Sequence, residues 1–112
     1  MYEPKKDLYA ILSSLEGVTA YQQRPETIGT FPSLTFYISK NTPSVNLNSE
    51  INHQDIGAVI DIWARDSMSA GQVLKDLEVA MRENKYILQQ CYDVPDPDTR
   101  ICHLYTQFNF IA

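Results

Sequence analysis

The sequence predicts an α+β domain: an antiparallel sheet of about four to five strands with two helices packed on one face. Three observations carry this. From Asp55 to Met81 the hydrophobic period switches from two to about three and a half, so a strand feeds directly into an amphipathic helix. Residues 33 to 40 and 102 to 110 alternate apolar and polar side chains, as strands with one buried face do. An apolar stripe at helical spacing, Leu8, Ile11, Leu12 and Leu15, opens the chain.

Residues 4 to 16 read as the first helix, with Pro4 near its first position and Gly17 as a C-terminal cap. Val18 to Gln23 is short, aromatic and extended. Arg24 to Thr30 is punctuated by Pro25 and Gly29 and reads as loop. Pro32 starts a second strand, Ser33 to Lys40, with Leu34, Phe36 and Ile38 on one face and Thr35, Tyr37 and Ser39 on the other.

In the next strand Ile56, Ala58, Ile60, Ile62 and Ala64 form the buried set, and Gly57, Val59, Asp61, Trp63 and Arg65 the opposite set. After Asp66-Ser67, the residues Ala70, Val73, Leu74, Leu77, Ala80 and Met81 define the helical stripe. Tyr86 to Ala112 reads as a hairpin about Pro95-Asp96-Pro97-Asp98. A loop of those residues alone would set Val94 opposite Thr99, Asp93 opposite Arg100, Tyr92 opposite Ile101 and Cys91 opposite Cys102. Leu104, Thr106, Phe108 and Phe110 share one face of the last strand, and His103, Tyr105, Gln107 and Asn109 the other.

Residues 41 to 54 contain four asparagines and only three aliphatic side chains. A connection this long is either functional or a plain surface loop. The alternation of Val45 and Leu47 with polar neighbours suggests that the flanking strands continue outward as a thin arm, a candidate docking element.

At 112 residues the chain has the size of one domain, spanning 1–112. Hydrophobic residues at 44% and charged residues at 21% are those of a globular protein rather than a disordered one. Asp61 interrupts the central apolar run well short of the roughly 20 residues that cross a bilayer. The opening Met-Tyr-Glu-Pro-Lys-Lys-Asp is unlike a secretory signal, so cytosolic residence is expected. A net charge of −5 argues against binding driven by phosphate neutralisation. Lys5-Lys6, the only adjacent basic pair, reads as a solvated first helical turn.

The spacing of Cys91, Cys102 and His103 matches no zinc pattern, and a reduced, partly buried cross-strand pair accounts for the cysteines. Asp93, Asp96 and Asp98 lack the glycine and closing glutamate of a calcium loop and read as turn formers. His53 with Asp55 is the one candidate acid–base pair, without a companion nucleophile or phosphate-binding loop. No catalytic residue, metal or cofactor is expected. Val59, Asp61 and Trp63, on the strand face away from the helices, are candidate protein-interface residues together with Val45 and Leu47; an outward Trp and Val would form an apolar contact patch. The other reading of Trp63 is that the 41–54 arm or a terminus covers it.

The order of elements resembles the small tail-completion or tail-terminator proteins of long-tailed bacteriophages. The residues that carry the resemblance are Ile56 to Arg65 followed at once by Ser67 to Met81, the opening helix, the strand entry Phe31 to Ile38 and the closing strand Asp98 to Phe110. It is a pattern of strand, turn and helix over nearly the full length. The resemblance implies a subunit that assembles with itself as a ring, commonly hexameric, on the tail tube and joins it to the head-side connector. Its location would be the host cytoplasm during assembly and then the virion's head–tail junction. It implies no catalytic residues, cofactor, membrane or specific nucleic-acid binding. The alternative is a small-molecule-binding or regulatory α+β module, since this architecture hosts many functions.

Overall fold

The computed structural model describes residues 4–21, 31–45, 51–98 and 100–110, with 43–45 and 51–54 as backbone. In chain order the elements are α1 (Pro4–Ser13), β1 (Thr19–Tyr21), β2 (Ser33–Val45), β3 (Ile51–Ala64), α2 (Ser67–Glu83), β4 (Tyr86–Val94) and β5 (Cys102–Phe110). They form a five-stranded sheet in the order β1-β2-β3-β5-β4, with both helices on one face. The class is therefore α+β, as the period switch predicts. The sheet is mixed, because β1 runs parallel to β2 while every other neighbouring pair is antiparallel.

Helix α1 buries Pro4, Leu8 and Leu12, and ends a turn earlier than the apolar stripe predicts. Both the amide and the hydroxyl of Ser14 donate to the Ile11 carbonyl, a local bond that competes with continued helix. Gly17 then takes φ +72°, where a side chain would be strained, and turns the chain into β1. Helix α2 starts where Asp66 caps it, its carboxylate accepting from the Ser69 amide at 2.7 Å. That bond holds the Asp66 carboxyl below its ordinary range. Ala70, Val73, Leu77 and Met81 pack α2 onto the sheet.

The core lies between the helices and the even-numbered face of the central strands: Leu34 and Phe36 from β2, Ile56 to Ala64 from β3, and Phe108 from β5. Strand β3 is the spine. Gly57–Trp63 pair with β2 on one side and β5 on the other and Ala64 pairs with β5, whereas Ile51 and His53–Ile56 pair with β2 alone, out to Val45 opposite Ile51. Ser39 is the extra residue of a bulge where this outer ribbon begins, between the pairs Ile38–Ala58 and Lys40–Gly57. The protein measures 54 × 25 × 22 Å.

The β4–β5 register differs from the tight-hairpin expectation. Tyr92 lies opposite Tyr105, Cys91 opposite Thr106 and Val94 opposite His103, while Cys102 lies opposite Ala64 of β3. The cause is a longer turn. Pro95 and Pro97 have no amide to give a ladder, Asp96 accepts from the Asp98 amide, and Asp98 takes the Arg100 amide and guanidinium. Arg100 is thus held by Asp98 rather than facing Asp93, and holds the Asp98 carboxyl below its ordinary range. From Gln90 to Val94 the pairing slips by an even number of residues and from Tyr86 to Leu88 by an odd one, with a bulge at Gln89 between them, and the inward face of β5 survives: Thr106 and Phe108 are buried and Leu104 and Phe110 pack on the core.

Candidate functional site

On the face that the helices leave uncovered, cross-strand pairing sets side chains in rows. Trp63 of β3 stands between Ser33 of β2 and His103 of β5; Asp61 stands between Thr35 and Tyr105, with Tyr92 of β4 beyond; Val59 stands between Tyr37 and Gln107. Period-two geometry brings these residues to one side of the sheet. The indole of Trp63 stacks on the His103 imidazole with centroids 3.8 Å apart, and its Nε1–H donates to the Thr35 hydroxyl at 3.0 Å. His103 Nε2 lies 2.7 Å from Asp61 Oδ1. An ionised carboxylate only accepts, so with Asp61 ionised the hydrogen of that bond lies on Nε2. The rings of Tyr92 and Tyr105 stack at 4.7 Å.

Burial pushes the Tyr105 phenol above its ordinary value, and the neighbouring Tyr37, Tyr92 and Asp61 add to the shift. Tyr37 and Tyr92 themselves are 52% and 48% exposed. The face is therefore a polar network closed over its centre by aromatic rings, with two tyrosines presented to solvent. Chemically it resembles a clamp. The imidazole is held between a carboxylate and an indole, and Trp63 separates it from the Ser33 hydroxyl in its row.

This placement corrects the reading of the interface residues. Trp63 is 3% exposed and Val59 1%, so neither contributes an outward apolar patch. Asp61 is half-buried and bonded to His103. The backbone of Val45 pairs with Ile51, and Leu47 lies outside the described residues. Tyr37, Tyr92 and His103 also belong to the face; alternation in β2 and β5 is the sequence signal for Tyr37 and His103, and only the register unites all three with Trp63. Asp55 forms an ion pair with Lys40 across the ribbon, and the backbone of His53 lies opposite Ser44.

A second feature lies on the helix side, at the end where β4 finishes and β5 starts. A cleft of about 610 Å³ is bounded there by Ala70 and Gly71 of α2, by Asp93, Val94 and Asp96, and by Leu104. Cys102 lines it too, and both cysteines are free thiols. Burial, with the charge of Asp93, raises the Cys91 thiol pKa.

No protein-family model matches this chain, and no curated protein matches it. The functional argument therefore rests on geometry and on the pattern of elements. Among the described residues no three His, Cys, Asp or Glu side chains gather as a metal-holding group, and no helix is long and apolar enough to cross a membrane.

Proposed function

We propose that the protein is a structural subunit of a long-tailed phage or prophage, assembling with itself as a ring that completes or terminates the tail and meets the tail tube and the head-side connector. The observation that carries this reading is the division of surfaces around one sheet. Both helices cover one face, the other presents Tyr37 and Tyr92, and the β2–β3 ribbon runs past the strands that flank it, to Val45 opposite Ile51. The backbone of a ribbon paired only within itself keeps open edges and is well placed for contacts with another molecule. The acidic balance of −5 is compatible with a ring through which DNA slides without gripping its phosphates.

Complementation tests the reading. Phage lacking this protein should accumulate separate heads and tails, or tails of uncontrolled length, and supplying the protein should restore virions. Normal virions from the deletion would overturn it. The cleft beside α2 favours a second reading, a small-molecule-binding module, because its volume is in the range of ligand pockets. A ligand-induced rise in melting temperature without any association would select that one.

A further inference from the structure

The cleft exists because α2 is thin where it begins. Ala70 and Gly71 face it, and a Cβ added at Gly71 would meet nothing within 4 Å. The hollow is floored by Val94, Pro95, Ile101 and Leu104, and carries the carboxylates of Asp93 and Asp96. Beside it Met68, in the first turn of α2, is 85% exposed. An occupant must bring apolar surface together with positive charge, since covering carboxylates without a cation is costly.

The chain itself carries that combination elsewhere. Lys5 and Lys6, its only adjacent basic pair, are exposed on the first turn of α1. One turn on from Lys5, Tyr9 is 43% exposed with its ring tilted against Phe36. Helix α1 rests on β1, β2 and α2 and meets α2 at its end, near Asn84 and Tyr86, while the cleft lies at the start of α2, where β4 ends and β5 begins. The two surfaces thus lie toward opposite ends of α2.

We propose that they meet between copies: the Lys5, Lys6 and Tyr9 side of α1 in one copy docks in the Asp93 cleft of the next. Such a contact is heterologous, and repeats around a closed ring. Cleft against cleft would instead bring Asp93 and Asp96 of both copies together, a like-charge juxtaposition. The proposal rests on the ring reading for its purpose, but the contact is testable without any tail.

The experiment mixes ¹⁵N-labelled and unlabelled protein at high concentration with a zero-length carbodiimide, which joins an amine to a carboxylate with loss of water. A ladder of species beyond the dimer is expected, with mixed-isotope peptides linking Lys5 or Lys6 to Asp93. Replacing both lysines (K5E with K6E) should remove the rungs, as should Asp93→Lys alone, and combining the three changes should restore them. Asp96 is left unchanged because it accepts the Asp98 amide in the turn. Species that stop at dimers, links that join other segments, a protein left monomeric, or a ladder indifferent to charge reversal would each overturn the contact. An intact ladder with failed complementation would reject the phage role alone.

Discussion

The imidazole of His103 lies nearly flat against the indole of Trp63, planes 13° from parallel, while its Nε2 reaches Asp61. One residue from β5 thus joins two from β3 on the face opposite the helices. The arrangement removes Trp63 from solvent without any helix above it. It acts as a second, smaller core.

Trp63→Ala should therefore lower folding stability by about 3–5 kcal/mol, the range for deleting a buried large aromatic. Urea denaturation followed by circular dichroism measures it. A variant with unchanged stability that loses only self-association would return Trp63 to the role of an interface residue.

Thr35→Val keeps the shape of the side chain and removes the acceptor of the Trp63 indole N–H. The expected loss is about 1 kcal/mol, that of one hydrogen bond, and the indole N–H resonance should move. An unmoved resonance would argue against the bond.

Asp66 supplies a pH dependence whose sign is fixed. Its carboxyl pKa is lowered in the folded protein by the Ser69 amide, so the stabilisation is fully present above the ordinary carboxylate pKa of about 3.9. It is lost as pH falls through the lower folded value. Wild type and Asp66→Ala should differ in melting temperature at neutral pH and converge in acid. A difference that persisted at the lowest pH at which both fold would count against this assignment.

Deleting Pro43 to Asn52 should leave the sheet intact, because the pairs from Ser33–Trp63 to Asn41–Ile56 lie outside the deletion. Under the proposed function such a protein should fold yet fail to complement. Loss of the fold would show that the ribbon belongs to the core.

Much of this architecture is legible from periodicity. The burial of Ile56, Ile60 and Ile62, the start of α2 just after Asp66 and the inward face of β5 follow from local pattern alone. Trp63 and Val59 do lie on the face away from the helices, as alternation predicts, but alternation alone does not show that this face is covered too. In a central strand both faces can close, and apolar residues at odd positions of β3 were the sign of it. The β4–β5 register failed for another reason: prolines and aspartates mark a turn without fixing its length, and the side-chain bonds of Asp96 and Asp98 lengthen it. The His103–Asp61 contact needed the knowledge that β5 inserts between β3 and β4, which no local signal contains.

That insertion governs how the fold is reached. Strand β4 leaves α2 one strand-width away from β3, and the gap is filled by residues from much later in the sequence; the buried Thr106 hydroxyl donates to the Ile60 carbonyl, 46 positions back. Until β5 arrives, the inner edges of β3 and β4 are both bare, open to any extended strand that passes. Closure over so long a sequence separation is intrinsically slow. During synthesis the nascent protein is therefore most prone to stick to its neighbours at the stage before its central gap is filled, and a holding chaperone would find its natural target there.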